Sequence, residues 1–315
     1  MSEQQLFLLP ELAKRHYYWP MPRAKATDRA VRIPDELARI THTACVLGDG
    51  SPLDIELAVL TCARVNRQVR RMDAVIGLVY SPWRYQWPKN MFPDPSNPAY
   101  AKELTYFEQQ FAWAKKMVEQ YGGVYGANVR IGALILDTEV WDVFKDKYPD
   151  QVCKALDDIH QKALQYFPGV DIIWYGRGYA MHATKDIVSL QHWTGKEMTP
   201  ILSVAMYHPH ELDRDRIVYW RTAQLAAEMH LGRVVPFAAV GSAYKRDSKG
   251  QKFLPAWYST RCSYDLGVEL HRPEYVQATD VFIYPAPFRE QTFMPHFAAY
   301  VRGACGMPYI AANED

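Results

Sequence analysis

The chain is poor in several features that would each point to a function. It holds five cysteines in 315 residues, Cys45, Cys62, Cys153, Cys262 and Cys305, widely scattered and with no Cys-x-x-Cys. An odd, dispersed set of this kind reads as free, mostly buried thiols in a reducing compartment rather than as a disulfide framework. No uninterrupted apolar run approaches the roughly 18–20 residues of a membrane span, so no membrane partner is expected. The start, MSEQQLFLLPELAKRH, lacks the cationic segment and apolar stretch of a secretory signal. The expected location is cytoplasmic, although a secreted protein whose signal peptide has been removed would read the same way. The formal net charge of +1 gives no basic excess for a phosphate backbone, so no nucleic acid partner is expected. Arg67, Arg70 and Arg71 fit the solvated face of a helix. No Gly-x-Gly-x-x-Gly follows the first strands, which leaves a dinucleotide-binding sheet without support. Ser242 sits in no Gly-x-Ser-x-Gly elbow, which argues against a serine nucleophile.

Apolar and aromatic residues are plentiful. Apolar residues make up 49% of the chain and charged residues 23%, the balance of an ordinary globular protein. Short β-type runs alternate with longer amphipathic segments. The strand candidates are Thr43–Leu47, Ala74–Tyr80, Ile131–Leu136, Val170–Tyr175, Ile201–Tyr207, Val234–Val240 and Val281–Tyr284. Most are continuous apolar runs, as strands buried on both faces should be. Helices are expected over Pro52–Arg71, Ala101–Tyr121, Asp150–Phe167, Arg214–His230 and Gln291–Arg302, with stop signals at Gly122-Gly123, Pro168-Gly169 and Gly232. Repeated strand–helix alternation predicts a parallel sheet, here a closed (β/α)8 TIM barrel forming one domain over residues 1–315. Seven strands are evident. The first barrel strand is expected at Gln5–Leu9, with Met307–Ala311 as the alternative eighth.

In such a barrel the C-terminal ends of the strands carry the chemistry. Only one run ends in two carboxylates, ALILDTEVW at 133–141. Residues two apart on a strand share a face, so Asp137 and Glu139 are expected to face the barrel mouth together, with Thr138 turned toward the helices. Burial and mutual repulsion raise a carboxyl pKa, so such a pair titrates in two separated steps. A protonated acid beside an ionised one suits glycosidic bond cleavage. A structural role is the alternative, each acid neutralised by an arginine such as Arg177.

An Asp-x-Glu closing a barrel strand, with Trp141 two residues on, resembles the catalytic strand of hyaluronidases and, more distantly, of chitinases. In those barrels the motif closes strand four, as here if Gln5–Leu9 is strand one. The run ILSVAMYHP would then be strand six, and its Met206-Tyr207 ending is similar to the tyrosine-ended sixth strand of chitinases. The resemblance implies a glycoside hydrolase with Glu139 as proton donor. It also implies that Asp137 and Tyr207 hold a substrate acetamido group acting as internal nucleophile. The chain departs from the chitinase pattern at Gly132 and Ile135, where aspartates would stand, and in having no Ser-x-Gly-Gly on the third strand. In a second version Glu139 is acid/base and another strand supplies a carboxylate nucleophile; Glu211 and Asp280 are poorly placed for that.

Other strand-end residues complete the expected site. Asp49, Trp83, Trp141, Tyr175, Arg177, His208, Tyr244 and Tyr284 are candidates for substrate binding. Trp83 and Trp141 belong, with Tyr85, Trp87, Trp257 and Tyr258, to a set of loop aromatics that could stack on sugar rings or fill gaps between barrel and helices. Arg177 offers a planar fork for paired oxygens. His208-Pro209-His210 lacks a recognised zinc spacing, so neither a metal nor a cofactor is expected. The expected activity is hydrolysis of an oligo- or polysaccharide. The alternatives are a metal-dependent barrel hydrolase or lyase using Asp137, Glu139 and His208, and a carbohydrate-binding barrel without catalysis. The sequence leaves the oligomeric state open.

Overall fold

The computed structural model describes residues 15–18, 41–48, 50–68, 74–80, 98–137, 149–176, 201–206, 234–238, 245–246, 252–253, 259–271, 280–283 and 290–311. The described elements run β1 (Arg15–Tyr18), β2 (Thr41–Leu47), α1 (Pro52–Gln68), β3 (Val75–Tyr80), α2 (Pro98–Tyr125), β4 (Ile131–Asp137), α3 (Pro149–Tyr166), β5 (Asp171–Gly176), β6 (Ile201–Met206) and β7 (Val234–Ala238). A short antiparallel pair, β8 (Lys245–Arg246) and β9 (Lys252–Phe253), comes next. The chain then forms α4 (Thr260–Leu270), β10 (Asp280–Ile283) and α5 (Glu290–Ala304).

Eight strands close a barrel in the order β1-β10-β7-β6-β5-β4-β3-β2, every pairing parallel. This is the predicted (β/α)8 architecture, and all seven apolar runs are in it. The first strand is a correction. It is Arg15–Tyr18, not Gln5–Leu9; the latter lies outside the described residues, and the barrel closes without it. The sequence RHYY is one charge followed by three polar rings, so it lacks the continuous apolar signal of the other strands. Met307–Ala311 is not a strand either but an extended tail after α5.

Strand alternation separates two buried layers. Ala44, Val46, Ile76, Leu78, Tyr80, Leu134, Leu136 and Ile172 pack with Ile55, Val59, Phe107, Phe111, Ala155 and Ile159 of the helices. The opposite face fills the barrel. A methyl added at Gly77 would lie 3.0 Å from Cys45 Sγ, Ile135 Cδ1 and Thr43 Cγ2, which puts these three side chains around Gly77 inside the barrel with no spare volume. Thr43, Cys45, Val75, Val79, Ala133, Ile135 and Ile173 are all buried. The lower barrel is therefore a packed core, as in other barrels of this type.

Helix ends follow local chemistry with one correction. Ser51 precedes Pro52 of α1 and donates from both its N–H (2.9 Å) and its hydroxyl (2.8 Å) to Asp54 Oδ2; proline at the first helical position suits the start. The expected stop at Gly122-Gly123 is wrong. Helix α2 runs to Tyr125, and Gly126, at φ 59°, supplies the left-handed residue that ends it, with Ala127 N–H donating to Gly122 O at 2.8 Å. The stop at Gly169 holds, with φ 73°. Helix α4 has no counterpart in the sequence reading because Gly267 weakens its pattern. That glycine exists for packing: a Cβ there would lie 2.1 Å from Tyr300 O of α5, and one at Gly303 would lie 2.1 Å from Tyr264 O of α4. The tail is tied to the same pair, with Tyr264 hydroxyl donating to Met307 O, Arg302 to Pro308 O, and Arg261 over the Tyr264 and Tyr309 rings. The predicted helix Arg214–His230 and the stop at Gly232 lie outside the described residues.

Cys45, Cys62, Cys262 and Cys305 form no disulfide; Cys45 and Cys62 are buried, and Cys262 and Cys305 are half-buried. Among the described residues, no helix is long and apolar enough to cross a membrane.

Candidate active site

Strand β4 reads IGALILD, and its residues from Ile131 to Leu136 are all buried, with the missing side chain of Gly132 letting Val75 come close. Asp137 is the last residue of this strand, at the C-terminal end of the barrel, and β4 is fourth in chain order. Position 137 shares its face with Ala133 and Ile135, and Ile135 is an interior residue. Backbone alternation therefore puts position 137 on the interior face at the mouth end of the barrel.

Register adds what periodicity alone could not. Asp137 pairs with Tyr175 of β5, and Tyr175 pairs with Ser203 of β6. Neighbouring strands are about 4.8 Å apart, so positions 137, 175 and 203 form a short row across three adjacent strands. Tyr175 was an expected site residue and is next to Asp137. Ser203 was not. The signal for it was present: it is a lone polar residue in the apolar run ILSVAM, four residues before Tyr207.

The same end of the barrel is exposed at β2, with β3 between it and β4. On the interior face of β2, Thr43 and Cys45 are buried, but Leu47, the last residue of the strand, is 38% exposed. Asp280 opens β10 and so stands at the opposite end of the barrel, which supports the reading that it is not a second catalytic carboxylate.

The remaining expected residues, Asp49, Trp83, Glu139, Trp141, Arg177, Tyr207, His208, Tyr244 and Tyr284, lie outside the described residues, as does Glu211. Their places in the chain are fixed by the strands they follow. Glu139 and Trp141 come after Asp137, Arg177 directly follows β5, Tyr207 and His208 directly follow β6, and Tyr284 directly follows β10. Tyr244 directly precedes β8. Among the described residues, no cluster of three or more His, Cys, Asp or Glu is arranged to hold a metal ion.

No family model matches the chain, and no curated protein matches its sequence. Solved structures do match. A thermostable mutant of a xylanase from Cellvibrio japonicus aligns over 96% of this chain and 99% of its own, with a TM-score of 0.55 and 9% identity. The chain shares its fold with xylanases. A GH10 structure from Paenibacillus barcinonensis aligns over 98% of this chain and 99% of its own, with a TM-score of 0.53 and 12% identity. An endo-1,4-beta-xylanase from Caldicellulosiruptor owensensis aligns over 88% of both chains at TM-score 0.52 and 10% identity. At this identity the likeness establishes the barrel and leaves the chemistry to be argued from the residues.

Proposed function

We propose that this chain is a glycoside hydrolase that cleaves a glycosidic bond in an oligo- or polysaccharide at the mouth of the barrel. The observation that carries the reading is the position of Asp137: it closes an apolar fourth strand at the C-terminal end of the barrel, on the interior face and in register with Tyr175. A carboxylate at the end of such a strand is expensive to desolvate unless it meets a polar ligand or a developing charge. Solved structures of the same barrel include xylanases, which favours a carbohydrate ligand.

In the proposed reaction Glu139 gives its proton to the glycosidic oxygen as the bond to the anomeric carbon breaks. Asp137 stays ionised and stabilises the positive charge that develops on the sugar ring. Water then forms the new bond to the anomeric carbon and gives up a proton, which returns Glu139 to its acid form. The two carboxyls differ in role because they interact: removing a proton from one makes removal from the other harder. Tyr207, following β6, and Tyr175, in β5, orient the sugar from the side of the row. In the finer version drawn from the hyaluronidase and chitinase resemblance, a substrate acetamido group is the internal nucleophile, held by Asp137 and Tyr207.

The test is turnover of xylan, hyaluronan and chitin oligosaccharides by wild-type protein and by Glu139→Gln and Asp137→Asn. Loss of the general acid should reduce kcat by about 10²–10⁴-fold, with an unchanged circular dichroism spectrum. Full activity in Glu139→Gln would remove the proposal. Cleavage of xylan, which lacks the acetamido group, would remove the substrate-assisted version and leave the general one standing. Sugar binding without hydrolysis would leave a carbohydrate-binding barrel instead.

A further inference from the structure

The turn from β2 into α1 lies at the C-terminal end of the barrel, the end that Asp137 closes on β4, and is held at several points. Leu47 lies on the interior face and is exposed there. Gly48 N–H donates to Val79 O of β3 at 2.9 Å, and Gly50 N–H donates back to Leu47 O at 3.0 Å. Ser51 and Asp54 then fix the start of α1. Position 49 is thus flanked on both sides by anchored backbone.

The remaining anchor is Tyr80, the last residue of β3. Its hydroxyl donates to Gly48 O at 3.3 Å, and its ring is buried edge-on against Phe107 (centroids 5.7 Å apart) and Phe111 (5.4 Å) of α2. The ring lies so close to the turn that a Cβ at Gly48 would fall 2.0 Å from Tyr80 Cζ. Only glycine lets the turn settle on the ring. A buried tyrosine hydroxyl needs a partner, and here the carbonyl immediately before Asp49 is one.

We propose that the β2–α1 turn is a preset wall of the sugar site and that Tyr80 is its positioning residue, fixing the backbone from which Asp49 meets the substrate. This rests on the glycoside hydrolase reading and names a part of the same site. Tyr80 itself points toward the helices and does not touch sugar.

The test uses the full chain and Tyr80→Phe, which keeps the ring on Phe107 and Phe111 and removes only the hydroxyl. Constants are measured on xylan, or on chitin oligosaccharides if only these are cleaved. The expected result is a KM raised roughly three- to tenfold, as loss of one hydrogen bond allows, with kcat nearly unchanged. In an Asp49→Ala background the same change should have little further effect on KM, an outcome that general loosening of the fold would not produce. An unchanged KM in Tyr80→Phe, or an equal loss with Asp49 absent, overturns the inference while leaving the hydrolase reading intact. A wild-type protein that cleaves none of these sugars overturns the hydrolase reading. The turn is then judged by calorimetric affinity for the same sugars, where no binding, or equal binding by wild type and Tyr80→Phe, overturns the inference too.

Discussion

Replacing Gly267 by alanine puts two well-known effects in opposition. In an exposed helix interior the change should stabilise by about 1 kcal/mol, because glycine is the poorer helix former. In α4 the added methyl would sit 2.1 Å from Tyr300 O and 2.9 Å from Ala304 N, both backbone atoms of α5. Neither can swing aside, so α4 and α5 must separate by roughly 1 Å to restore ordinary contact. A gap of that size forfeits a quarter to a half of each dispersion well. The two helices carry Leu266, Leu270, Phe297, Tyr300 and Val301, all buried. Spread over these side chains, the loss comes to about 3–5 kcal/mol on the scale of partial core disruption. Net of the helix gain, Gly267→Ala should cost about 2–4 kcal/mol. At about 2 °C per kcal/mol for a large domain, the thermal midpoint should fall by roughly 4–8 °C, read by circular dichroism. Gly303→Ala makes the mirror-image clash with Tyr264 O. Once one methyl has opened the crossing, the second should fit at little extra cost, so the double variant should be far from additive. A stabilised Gly267→Ala, or a double variant equal to the sum of its parts, would refute the reasoning.

Other consequences can be measured directly. Glu103 is buried on α2, its Oε2 makes no hydrogen bond among the described residues, and burial pushes its carboxyl up to about 7. Its folded pKa lies above the unfolded value, so its ionisation weakens the fold as pH rises from about 4.5 through 7. Glu103→Gln should therefore raise stability by about 2–3 kcal/mol at pH 8 and by little at pH 4.5 in urea unfolding; equal gains at both would count against it. Burial holds the Cys62 thiol up at about 12 and that of Cys45 well above its usual range. Iodoacetamide at pH 8 should label Cys262 in the native protein before either of these, by peptide mass spectrometry. Labelling of Cys45 or Cys62 at the rate of Cys262 would contradict that order. The Glu139→Gln and Tyr80→Phe outcomes complete the set.

Most of the barrel was legible because its strands are buried on both faces, and seven runs such as AVIGLVY and IGALIL carry that burial in plain composition. β1 was not, since a strand of four residues with a charge and three rings has no apolar run to find. α4 was not, because Gly267 is chosen for the close approach of another helix, a demand invisible in its own segment. The same holds at Gly122 and Gly123, which sit inside α2 while Gly126 does the stopping. At the candidate site, Asp137 could be picked out because an acid after six largely apolar residues is conspicuous. Its place beside Tyr175 depends on strand register, which no local pattern encodes, and Ser203 becomes noticeable only through that register.

The pairing of β1 with β10 has a consequence for how the chain is made. Arg15 lies against Asp280, so the earliest strand waits for nearly the last before it gains its second neighbour. Until the ribosome has delivered residues 280–283, the sheet is an open ribbon with two unsatisfied borders, one at β1 and one at β7. Contacts so distant in sequence slow folding, and unprotected borders invite association between nascent chains. Yields of this protein should therefore depend on temperature and chaperone supply during synthesis more than the stability of the finished barrel would suggest.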